Sequence, residues 1–282
     1  MAMPVEVAAK IIEASPLMTQ AAPALENVIK LSPNVEWMNG IQYFLTEDFS
    51  QHRGHTVYSG ANYALTSISQ KQFWPNYDLE ERFCGKAKGI FSVDISDWEK
   101  PGNFNNKPAK DCTKEEVIHE CWRQLKDEIN VDGKEPLKDE MLVFAYLDES
   151  IYQPFSHPLA QSVLESLDVI RGEKETIQEL KNKEPLLVNV INTWKLRPEA
   201  KTGIPNLFLA ADYVRTYTDL ATMEGANEAA RRASNAILDA AGSSESRLGV
   251  WPYTSPWQLR FFQAIDWVRW KLGRPWSTFW PF

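Results

Sequence analysis

Residues 205–238 read PNLFLAADYVRTYTDLATMEGANEAARRASNAIL, and this stretch decides the fold. Leu207-Phe208-Leu209 is a continuous apolar run, the signature of a strand covered on both faces. Asp212 sits in the turn after it, and a polar run leads to a helix predicted to start near Asp219. Within that helix Leu220, Met223, Ala226, Ala230, Ala233 and Ile237 recur at three or four residues. Its small residues, Gly225, Ala226, Ala229, Ala230 and Ala233, suit close packing on a sheet. A carboxylate at a strand end beside a helix N-terminus makes a place for a polar, electron-rich group. The carboxylate accepts hydrogen bonds from hydroxyls, and the unpaired N–H groups attract a carbonyl or phosphate.

Asn206–Ala210, Asp212-Tyr213 and Met223-Glu224-Gly225-Ala226 together resemble the C-terminal FAD motif of the flavin amine oxidase and phytoene desaturase superfamily, hydroxysqualene dehydroxylase-like members included. The segment departs from that motif at Ala211, where the family commonly has Gly. Trp37–Leu45 and Tyr63–Gln70 look like the substrate domain of desaturase-like members, so the resemblance covers residues 4–241. It implies FAD as cofactor, held by Ala211, Asp212, Arg215, Asp219, Thr222, Met223 and Ala226. Asp212 would bond a ribityl or pyrophosphate-linked hydroxyl, and the Met223 N–H would face the pyrimidine edge of the flavin. Arg197 and Arg215 would offset the charge of reduced flavin or pyrophosphate. Trp194, Tyr43 and His55 are the candidate substrate contacts, and the implied substrate is lipophilic, of the isoprenoid kind. Flavin chemistry resides in the cofactor, so the protein binds, orients and tunes it. No catalytic base is nameable from the residues.

The family's other motif, Gly-x-Gly-x-x-Gly, is absent: no two of the 13 glycines are spaced i, i+2. That turn cradles the pyrophosphate. The chain opens instead on an amphipathic pattern, Pro4–Ile12. The expectation is therefore the C-terminal half of a split flavoenzyme, completed by a second polypeptide carrying the dinucleotide-binding half. A fragment with a rearranged fold is the alternative. The predicted class is α+β. Residues 1–195 form a substrate domain with a mixed or antiparallel sheet and helices. Residues 196–241 supply the C-terminal strand and helix of a split Rossmann-like FAD domain, and residues 242–282 are a Trp-rich basic tail.

Within the first domain, residues 4–31 read as two short helices broken at Ser15-Pro16. Strands are predicted at 34–46, in two pieces over 55–69, at 87–95 and at Leu186–Trp194, with a short apolar run at Met141–Leu147. Thr113 with Glu116 forms a capping box opening a helix to about Glu128. A further helix is expected over Val163–Leu180.

A formal net charge of −8 argues against nucleic acid as a partner. Cys84, Cys112 and Cys121 form no CxxC pair and suit a reducing cytoplasm. No secretory signal is read, and no window reaches the roughly 20 apolar residues of a spanning helix. His52-x-x-His55 has no acidic cluster beside it, so no metal site is expected. Against the acidic chain, Trp251–Phe282 holds six of the 11 tryptophans and four cations with one acid, Asp266. Aromatics mixed with cations suit a bilayer headgroup region; packing against protein is the alternative. Two functions remain open: the split oxidoreductase, and a redox-inactive, membrane-associated binding or assembly protein derived from the same family.

Overall fold

The computed structural model describes residues 1–153 and 180–274. The helix expected over Val163–Leu180 lies outside them except for its last residue. The chain divides into two compact units, one of residues 35–186 and one joining 1–34 to the segment from 187 onward. The sequence placed the boundary at 195/196, because nothing local in the N-terminal helices signals which distant segment they pack with.

Those helices are α1 (Val5–Glu13), α2 (Pro16–Ala21) and α3 (Glu26–Leu31). Pro16 opens α2, where its missing N–H costs nothing. Val5, Ala8, Ala9 and Ile12 bury one stripe of α1.

The second unit, after the short strand β1 (Val35–Glu36), is built on a five-stranded sheet of order β3-β4-β5-β2-β6. Its strands are β2 (Asn39–Leu45), β3 (Thr56–Val57), β4 (Leu65–Ser69), β5 (Gly89–Ile95) and β6 (Leu142–Leu147). Every pairing within it is antiparallel. Alternation sorts the side chains. Ile41, Tyr43, Leu45, Leu65, Phe91, Val93 and Ile95 form a buried inner face. Between β4 and β5 lies the single turn α4 (Leu79–Arg82).

Helix α5 (Lys114–Ile129) packs in the same core through Val117, Cys121, Trp122 and Leu125. It starts where the capping box was expected. Thr113 Oγ1 accepts the Glu116 N–H at 3.2 Å, and the Thr113 N–H donates to the Glu116 carboxylate at 3.0 Å. The opposite sheet face presents Gln42 across from Ser92 and Tyr146, and Gly40 across from Asp94. Beyond it, β7 (Ile151–Tyr152) pairs with β8 (Lys181–Asn182), and β9 is Leu186–Leu187.

One predicted strand is cut short and another is reduced to a single bridge. Leu186–Trp194 is extended only as β9. Asn192 adopts a left-handed φ of 69°, which Asn tolerates, and the chain turns into a 3-10 turn at Trp194–Leu196. The run 205–212 makes a single antiparallel bridge, Lys201 to Phe208, and the Leu209 N–H donates to the Ala200 carbonyl at 2.8 Å. Its backbone thus pairs with the turn just before it, and the run joins none of the sheets among the described residues.

The following helix, α6 (Met223–Ala240), starts at Met223 and not near Asp219, whose φ of 45° is left-handed and excludes it from a helix. The expected buried stripe is also rotated. Gly225, Glu228, Ala229, Ala233 and Ala236 are buried, whereas Met223, Ala226, Ala230 and Ile237 face outward. The last element among the described residues is α7 (Arg260–Lys271), none of whose residues is buried. The α+β class holds, while the segment expected to be Rossmann-like joins no sheet among the described residues.

Candidate functional site

The loop from Asn189 to Thr222 is organised by Arg197, which is 3% exposed. Its guanidinium donates to the Asp212 carbonyl and, at 2.8 Å, to the Asn189 side-chain oxygen. Its Nε lies 4.0 Å from an Asp219 carboxylate oxygen. Burial pulls the Arg197 pKa below its usual value, and the carboxylates of Asp219 and Asp212 oppose that pull. A buried cation with three oxygen partners fixes this loop in the absence of regular structure.

Asp212 stands beside that cation. Burial pushes its carboxyl above the ordinary carboxylate range, and the Arg197 charge and nearby backbone N–H groups only partly offset this. Its neighbour Tyr213 is fully buried with an unpartnered hydroxyl, and burial, with the Asp212 charge, pushes its pKa up to about 12. Ala211, at the position where Gly was expected, is half-buried.

The other expected cofactor contacts divide. Asp219 is committed inside the loop: its carboxylate accepts the Thr216 N–H at 2.9 Å and the Trp194 indole N–H. Arg215 stacks over the Trp194 ring at 4.8 Å and pairs with Glu199 at 3.2 Å, leaving its buried Nε unpartnered. Trp194 therefore belongs to the Asp219–Arg215 cluster. Thr222 is the N-cap of α6, its hydroxyl taking the Gly225 N–H at 3.2 Å. Gly225 is required: a Cβ there would collide with the Leu220 carbonyl oxygen. Met223 is 85% exposed at the first turn, and Ala226 is exposed one turn on. Among the described residues, the N–H groups of Met223 and Glu224 have no protein acceptor, so they point outward with the positive end of an 18-residue helix.

Glu228 was missed by sequence reasoning, which gives a helical carboxylate to solvent. It is 9% exposed, accepts the Tyr217 N–H at 2.9 Å and pairs with Arg232 at 2.7 Å, so it ties the loop to α6. No local signal marks it.

The sheet unit has a cavity of about 420 Å³ on the face away from α5. Gln42, His55, Thr66, Ser92, Asp94, Tyr146 and Asp148 contribute its polar walls, and no lysine or arginine is among its described lining residues. Asp94 opens into the cavity, whose walls limit its hydration and hold its carboxyl above the usual range, against the pull of His55. Burial also pushes on Asp148, but hydrogen bonds from Ser150 and Asn39 outweigh it and keep that carboxyl low. The Ser92 hydroxyl is buried without a partner. His55 is among the residues lining this cavity. Tyr43 does not. Strand alternation turns it to the inner face, where it is fully buried against Trp122 and its hydroxyl donates to the Ile118 carbonyl at 2.7 Å.

The Arg197 loop, Asp212 and most of α6 lie within one further finding. Residues 103–238 match the model of the flavin containing amine oxidoreductase family. No curated protein matches the chain. The matched family is flavin-containing, which fits FAD as cofactor. The residues present fit the group as well: a half-buried Asp212 carboxyl, a cation behind it, and free helix N–H groups at Met223 and Glu224. Of the seven expected contacts, Arg215, Asp219 and Thr222 have side chains already engaged within the protein.

Proposed function

We propose that this chain forms the flavin-facing and substrate-binding part of an FAD-dependent oxidoreductase. The Gly-x-Gly-x-x-Gly half comes from a second polypeptide. The observation that carries this is the Asp212 carboxyl held beside Arg197 ahead of the free N–H groups of α6, inside the segment that matches the flavin family. When bound, FAD accepts the hydride. Asp212 takes a cofactor hydroxyl, and the Met223 and Glu224 N–H groups face its electron-rich carbonyl edge. The outward stripe of Met223, Ala226, Ala230 and Ile237 supports the partner. It is apolar and built largely of small side chains, as close packing on a sheet requires.

The sequence resemblance pointed to a lipophilic, isoprenoid substrate. The lining of the sheet cavity favours a polar, cationic one instead: two carboxylates, an unpartnered hydroxyl and no lysine or arginine among the described lining residues suit an amine. Asp94 and Asp148 would hold the ammonium, with Gln42 and Ser92 positioning its neighbours. The test is flavin retention in the chain co-expressed with a polypeptide carrying the dinucleotide-binding half. Asp212→Ala removes a charge-assisted bond worth about 1.5–3 kcal/mol, so retention weakens roughly 10- to 150-fold. Equal flavin content in both proteins refutes the assignment.

A further inference from the structure

Among the described helices, α7 exposes the most large apolar side chains. Phe261 is 65% exposed and Trp270 69%, and nothing from residue 250 to 274 is buried. Contiguous apolar exposure of this kind marks an interaction surface.

The arrangement of its residues says what kind. At about 100° per residue, Ala264, Val268, Phe261, Leu272 and Ile265 fall within one sector roughly 100° wide. Arg260 and Lys271 lie along one border of that sector, with Trp267 beyond them, and Arg269 lies along the other, with Phe262 beyond it; Gln263, Asp266 and Trp270 complete the opposite side. Lys271 also stacks on Trp267 and Trp270, at 5.6 and 4.9 Å, so its charge is held next to aromatic rings. Cations on both borders of an apolar sector are what a helix lying in a bilayer interface needs. The apolar side chains enter the acyl boundary, while long basic side chains reach the headgroups. A helix seated on a protein core has no such requirement on both borders. Charge agrees: residues 257–274 carry Arg260, Arg269, Lys271 and Arg274 against Asp266, in a chain of net charge −8. Among the described residues no helix is long and apolar enough to cross a membrane, so α7 would lie on the surface.

We propose that α7 docks this protein onto an anionic lipid surface, its Phe261–Val268 sector buried and Arg260, Arg269 and Lys271 on the headgroups. The test is flotation of the full chain with phosphatidylcholine vesicles containing phosphatidylserine, compared with pure phosphatidylcholine. The unmodified protein floats with the anionic vesicles and less with the neutral ones, and salt weakens binding without abolishing it. Phe261→Asp with Val268→Asp abolishes flotation. Arg260→Gln with Lys271→Gln lowers partitioning roughly 25-fold and reduces the salt dependence, because each cation near an anionic surface contributes about fivefold. All four positions lie on a helix with no buried residue, so these variants leave the packed units intact. No flotation of the unmodified chain, or equal flotation of the aspartate variant, overturns the proposal. So does an oligomer that this variant turns into a monomer without any vesicle binding, which would show that the sector packs on protein.

Discussion

Replacing Arg197 is the most informative perturbation of the helical unit. Arg197→Ala removes two hydrogen bonds from a charged donor, to the Asp212 carbonyl and to Asn189, and the longer ion pair with Asp219. Each such bond is worth about 1.5–3 kcal/mol. The Asp219 pair adds little, because its atoms stand 4.0 Å apart and Asp219 reaches solvent. A loss of about 3–5 kcal/mol follows, the range seen when one partner of a buried charged pair is deleted. At about 2–4 °C per kcal/mol for a protein of this size, Tm falls by about 6–20 °C. Arg197→Lys keeps the charge but not the planar fork that reaches two acceptors at once, so it recovers less than half of the loss. The assay is thermal unfolding followed by circular dichroism, with urea titration as a check on the transition. An alanine variant within about 1 kcal/mol of the parent would refute the view that Arg197 organises the 189–222 loop.

Two further outcomes follow from particular contacts. Gly225→Ala forces a Cβ against the Leu220 carbonyl, so the first turn of α6 must shift; a cost of about 1–3 kcal/mol is expected in urea unfolding, and an unchanged midpoint would show the turn to be loose. The Lys126 ammonium, with the Trp122 indole N–H, holds the Asp139 carboxyl below its ordinary value. Its stabilisation is present above the unfolded pKa of about 3.9 and is lost as pH falls through the lower folded value. Parent and Asp139→Asn should therefore differ in urea midpoint near neutral pH and converge in acid; a constant difference contradicts the pairing.

What was legible in the sequence was local. The Thr113–Glu116 box placed the start of α5 because both partners lie three residues apart. Strands β2 and β5 followed from alternation, since one face of each meets α5 while the other meets the cavity. The Asp212 to Met223 motif was visible, yet its surroundings were not. A run such as Leu207-Phe208-Leu209 reads as a buried strand only if a sheet exists to receive it, and here the nearest backbone acceptor was Ala200. The buried face of α6 was misjudged because its alanines and glycine offer little contrast between faces. The burial of Glu228 depends on Tyr217 and Arg232, which sequence periodicity does not weigh. Tyr43 was read as lining a site when alternation already turned it toward α5.

The most direct test of the central claim is hydrogen exchange at Met223 and Glu224, measured on the chain assembled with its dinucleotide-binding half, with and without FAD. Those two N–H groups have no acceptor within the described protein and begin an exposed first turn, so they exchange fast without flavin. The account predicts that FAD slows both, and that Asp212→Ala diminishes the effect at equal FAD concentration. Tight FAD binding that leaves their exchange unchanged would place the cofactor elsewhere and contradict it.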